Sequence, residues 1–185
     1  MNKFLKRFSM FDLVIIALTS ALGIAIKPII VPLVHIVTGP LYIPGGAAAG
    51  GFYMLWIVLG IGITKKKGTG TLIGLVQALL VIISGVYGTH GAISIITYSM
   101  PGIMTDIVAA LLKNKAFTPA GFFSLGLVAN ITGTFLSSLV FFRLPLIPML
   151  LTLSVASLSG GLGGLIAYKI MKQLNKTNII NPMNK

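Results

Sequence analysis

The chain has 185 residues, 56% of them hydrophobic and only 9% charged, and its mean hydropathy is +1.01. A soluble domain carries about 25% charged residues, so charge this sparse excludes a wetted globular surface and marks an integral membrane protein along its whole length. The formal net charge of +12 sits in short clusters between apolar runs, a pattern that orients a chain in a bilayer and argues against nucleic acid, while the lack of cysteine excludes disulfides and thiolate chemistry.

The basic start MNKFLKRFSMF leads into an apolar run with no small-x-small cleavage site, and so reads as a retained first helix. Span 1 runs over about 11–26 and can extend, bent, through Pro28 and Pro32. It carries Ala17, Ala21 and Ala25 at four-residue spacing, one narrow side-chain-poor stripe on a helix. Such a stripe lets another helix approach closely, whether of this chain or of a partner. Span 2 covers about 45–63 and ends at Lys65, Lys66 and Lys67; span 3 covers about 71–83 and runs into SGVYGTHG. Span 4 covers about 92–112, is interrupted by Pro101-Gly102 and closes on Lys113 and Lys115; spans 5 and 6 cover about 117–142 and 146–168. Continuous apolar runs without period-two alternation mean helices. A hydrocarbon core takes about 20 helical residues, so span 3 is short and span 5 long, which implies tilt or uneven ends. The expected fold is an all-α integral membrane bundle of six transmembrane helices forming a single domain over 1–185.

With the N-terminus in the cytoplasm, twelve of the fourteen basic residues fall on the inner side, and only Lys27 and Arg143 lie near the outer side. The positive-inside rule therefore places both termini in the cytoplasm.

Three outer segments concentrate polar chemistry: KPIIVPLVHIVTGPLYIPGG with Lys27, His35 and Tyr42, SGVYGTHG with Tyr87 and His90, and FFRLPLIP with Arg143. Their polar groups can converge on one outward-facing pocket or act separately as interface anchors. Inside the spans stand Gln77, Asp106 and Asn130. An intramembrane carboxylate is costly and faces the bundle interior, so Asp106 either binds a ligand or bonds a neighbouring helix end. Gln77 and Asn130 have the character of interhelical hydrogen-bonding groups. Trp56 lies mid-span, where it can pack in the core or stack on an aromatic ligand. His35, Trp56, Tyr87, His90, Asp106, Asn130 and Arg143 form the candidate substrate-binding set.

Other chemistries fail on inspection. GTGTLIG and SGGLGGL lack the flanking strand of a dinucleotide site, and there is no Walker A motif, so the chain does not hydrolyse ATP by itself. Two histidines and two aspartates, widely separated, make neither a metal set nor a catalytic one, and no cofactor is expected.

Small size, six helices with both ends inside and Ala17-x-x-x-Ala21 on the first helix together resemble the substrate-binding S components of energy-coupling factor (ECF) transporters, which import vitamins and related micronutrients. The resemblance covers nearly the full length. It implies a prokaryotic cell membrane, a small-molecule substrate captured outside, and docking through Ala17 and Ala21 on a transmembrane coupling subunit driven by two ATPase subunits. Phe52-Tyr53-Met54-Leu55-Trp56 and Pro101-Gly102-Ile103-Met104-Thr105-Asp106 are similar to stretches of the thiamine-precursor (hydroxymethylpyrimidine) branch, which implies thiamine or its pyrimidine precursor as substrate. That branch carries further glutamates on helices 2 and 3, where this chain reads AAAGGFY and LIGLVQA. The competing reading is an autonomous small secondary transporter or channel, although residues 1–92 and 93–185 show no internal repeat of the kind such transporters have.

Overall fold

The computed structural model describes residues 7–85 and 91–177, which form six apolar helices. They are α1 (Met10–Thr38), α2 (Gly45–Thr64), α3 (Thr69–Ser84), α4 (Ser94–Leu112), α5 (Pro119–Ser137) and α6 (Leu146–Lys176). Five of them are long and apolar enough to cross a membrane; α3, at 16 residues, is about 24 Å long at 1.5 Å per residue, short of a ~30 Å hydrocarbon core. The all-helical expectation holds, and six helices occupy the six expected segments.

Local sequence sets the helix ends. Ser9 caps α1 by accepting from the Asp12 N–H, and the Asp12 carboxylate accepts in return from the Ser9 N–H, a reciprocal capping box. The α1 helix does not stop at its prolines but continues through Pro28 and Pro32 to Thr38. Each proline leaves the carbonyl four residues back, Ile24 and Pro28, without its helical N–H partner. Thr118 caps α5, whose first residue is Pro119. The far end of α5 widens into a π-helical turn, Ser138–Phe142, closed by the Arg143 N–H donating to the Ser138 carbonyl at 2.7 Å.

Packing is governed by glycine. A Cβ on Gly163 of α6 would lie 2.1 Å from the Gly51 carbonyl oxygen of α2, and one on Gly126 of α5 would lie 2.2 Å from the Gly160 oxygen of α6. Backbones therefore touch directly along α2–α6 and α5–α6, as small-residue interfaces in membranes permit. An apolar core centred on Ile57, Ile73, Phe122 and Leu125 fills the space between these contacts.

Neighbouring contacts define one end of the bundle. Lys66, just after α2, pairs with Asp12 at the start of α1. The start of α3 meets Asp106 near the end of α4. Gly62 near the end of α2 lies against Phe122 at the start of α5 and Met171 near the end of α6. One end of the bundle thus gathers the start of α1, the end of α6 and most of the basic residues.

Candidate functional site

At the opposite end a cavity of about 290 Å³ opens between α1, α2, α3, α4 and α5. Its wall joins the second half of α1 (Lys27, His35) to the start of α2 (Gly45, Tyr53), Gln77 of α3, Thr97 and Tyr98 of α4, and Thr134 to Ser138 at the end of α5.

Lys27 is the centre of this arrangement. Its ammonium donates to the Tyr98 hydroxyl and lies 4.3 Å from the Tyr98 ring centroid and 5.3 Å from that of Tyr53. A lysine this deep would ordinarily snorkel toward water, but here it turns inward against two aromatic faces, which stabilise a cation electrostatically. The Tyr53 hydroxyl donates to the Gly46 carbonyl at 2.6 Å and so fixes its ring. His35 Nδ1 accepts from the Gly45 N–H at 3.2 Å, which seats the imidazole on the first turn of α2. Pro44 gives that turn no side-chain cap, so His35 supplies an acceptor from another helix, and the positive end of α2 borders the cavity. The Gln77 side chain reaches the space over Gly23, where a Cβ would lie 2.3 Å from Nε2.

Of the seven expected substrate-binding residues, the structure brings His35 to this cavity. Asp106 lies at the other end of the bundle. Its carboxylate accepts from the N–H groups of Gly70 and Thr71, at 3.1 and 2.7 Å, and from the Thr71 hydroxyl at 2.7 Å. It caps α3 from a neighbouring helix, which answers the lack of a side-chain cap in α3 itself. Asn130 is fully buried and donates to the carbonyls of Ala47 and Ala156, both at 2.9 Å, tying α5 to α2 and α6. Trp56 packs on the apolar core, and Arg143 is exposed beyond the π-helical turn; neither lines the cavity. Tyr87 and His90 lie outside the described residues. Ala17, Ala21 and Ala25 are all exposed, on the side of α1 away from its buried residues Ile16, Ser20 and Gly23. Internal packing is therefore not what their stripe serves.

Lys27, Tyr53, Tyr98 and Ser138 do not figure in the expected set. The available signal was Lys27 itself, one of two basic residues on the side that the charge distribution otherwise leaves empty.

A family model described as "ABC-type cobalt transport system, permease component" matches residues 11–132. The chain belongs to that family. The match runs from α1 into α5 and ends just before Gly133, Thr134 and Ser138, through which the end of α5 lines the cavity. Among solved structures, this permease-family chain is similar to one described as the crystal structure of an S-component of an ECF transporter. The TM-score is 0.71 at 18% identity, with 96% of this chain and 90% of that chain covered. At that identity the likeness establishes a shared fold, that of an S component. No match is found among curated protein sequences.

Proposed function

We propose that the chain is the substrate-binding membrane subunit, the S component, of an ECF-type importer in a prokaryotic cell membrane. The observation that carries this reading is a largely apolar cavity with a few polar groups around Lys27, built by five helices at the end away from the basic clusters, in a chain with S-component fold and permease-family membership. On the positive-inside rule the basic end is cytoplasmic and the cavity opens outward. In this reading residues 1–185 form one domain, α3 completes six crossings by tilt and by its flanking loops, and both termini are cytoplasmic. Substrate enters from outside between the α1–α2 connection and the end of α5. Energy comes from partners: the chain has no Walker A motif, so a coupling subunit with two ATPases supplies it. The exposed Ala17 and Ala21 form the docking stripe, where small side chains let a partner helix come close.

The thiamine or pyrimidine-precursor reading has less support. Its two sequence links end in Trp56 and Asp106, and both lie away from the cavity. Cobalt, the cargo in the family description, is a cation, and the cavity presents it with a lysine.

The test is co-expression with an ECF coupling subunit and its ATPase pair. Affinity purification should recover a four-component complex, and replacing Ala17 and Ala21 by Leu should abolish that complex while the isolated subunit still folds. Transport by the chain alone at the rate seen with its partners would instead establish an autonomous transporter.

A further inference from the structure

We propose that the substrate is a small organic monocarboxylate, its anionic group held by Lys27 and its body lying between Tyr53, Tyr98 and Phe142. The inference rests on the reading of the cavity as the substrate site, and it follows from a charge count that closes over the whole chain.

The sequence contains two acidic residues, Asp12 and Asp106. Asp12 is 5% exposed and paired with Lys66 and Ser9; Asp106 is occupied by the start of α3. Both stand at the end of the bundle remote from the cavity, so no aspartate or glutamate of this chain neutralises Lys27. An ammonium has three donors, and among the described residues Lys27 makes a single hydrogen bond, to Tyr98. The aromatic faces offset only part of the cost of taking an unneutralised cation out of water. An anion removes the remainder.

Two further observations point the same way. The Ser138 hydroxyl is 2% exposed, lines the cavity and has no hydrogen-bond partner among the described residues. A buried polar group without a hydrogen bond is costly, and a ligand oxygen can satisfy it. The positive end of α2 borders the same space, although its Gly45 N–H is already taken by His35. One lysine balances one negative charge, which favours a monocarboxylate over a phosphate dianion. The volume, about 290 Å³, lies near the lower limit of small-molecule sites, about 300–1,000 Å³. The same features disfavour metal cargo: among the described residues no three of His, Asp or Glu come together, and His35 is already bonded to Gly45 through Nδ1.

The full chain in detergent is assayed by thermal unfolding and calorimetry against benzoate, 4-aminobenzoate, nicotinate and indole-3-acetate. Each acid is paired with its own primary amide, and thiamine and cobalt(II) complete the panel. At least one acid should bind while its amide does not, and Lys27→Gln should weaken it roughly tenfold to a hundredfold, the range for a hydrogen bond to a charged group. Lys27→Arg keeps the charge and should retain selectivity for the acid, which serves as the decisive variant should Lys27→Gln fail to fold. Preference for an amide, thiamine or cobalt(II), an acid affinity unmoved by both substitutions, or no binding by any panel member overturns the proposal. Thiamine or cobalt(II) binding together with partner-dependent uptake would overturn only the charge assignment. Acid binding without partner-dependent uptake would overturn only the importer reading.

Discussion

Asp106→Ala removes the single acceptor that serves three donors at the start of α3, two backbone N–H groups and the Thr71 hydroxyl. Losing a helix N-cap costs about 0.5–2 kcal/mol, and losing a carboxylate beside a helix N-terminus adds about 0.3–1 kcal/mol. The expected destabilisation is therefore about 2 kcal/mol. For a chain of 185 residues, on the soluble-protein scale of about 2–4 °C per kcal/mol, the unfolding temperature falls by about 4–8 °C. Asp106→Asn keeps an acceptor oxygen but not the charge, and should lose about half as much. The assay is thermal unfolding of purified protein in detergent micelles, followed by binding of a carboxylate probe at a temperature where both variants remain folded. Affinity should stay within about threefold of the parent, because the carboxylate stands at the other end of the bundle. Unchanged stability accompanied by a tenfold loss of affinity would refute the capping role and return Asp106 to the substrate site.

Further outcomes follow from the same geometry. Ser138→Ala should leave the empty protein as stable or slightly more so, since it removes an unpartnered buried hydroxyl, and should weaken carboxylate binding about threefold to tenfold; calorimetry reads both. Gly163→Ala drives a Cβ to 2.1 Å from the Gly51 oxygen and should cost at least about 3 kcal/mol or prevent folding. Among the described residues Gly85→Ala meets no atom within 4 Å and carries the left-handed backbone cost of about 1–2 kcal/mol, so its unfolding temperature should fall far less. Ala17→Leu with Ala21→Leu, on an exposed face, should change unfolding by no more than about 0.5 kcal/mol while eliminating co-purification of the coupling subunit.

Helix positions were legible because hydrophobicity alone decides them in a membrane. The expected segment 45–63 became Gly45–Thr64, and 92–112 became Ser94–Leu112. The site was less legible, for reasons that differ by residue. The sequence pattern groups Lys27 with the outer segment after span 1 even though that span can continue through Pro28 and Pro32, and the helix does keep both prolines, as membrane helices can when neighbouring helices support them. The helical register then turns Lys27 onto Tyr53 and Tyr98, residues 26 and 71 positions away, and that juxtaposition is invisible to local pattern. Asp106 drew attention because an acid within a span is costly, but that cost can be met by a neighbouring helix end as well as by a ligand. Asn130 behaves as interhelical polar residues commonly do, and its two bonds to α2 and α6 carbonyls satisfy that expectation directly. The alanine stripe posed a choice between internal and external packing, which its exposure resolves in favour of an external surface.

The central claim is that this chain captures a substrate and relies on other subunits to move it. Uptake of a bound, radiolabelled carboxylate should be measured in cells carrying the chain with an ECF coupling subunit and its ATPase pair, and in cells where both ATPases carry an inactivating Walker A substitution. Accumulation only with active ATPases, lost in the Ala17→Leu, Ala21→Leu variant although binding persists, is the predicted result. Equal accumulation with the inactive pair would contradict the account and make the chain a transporter in its own right.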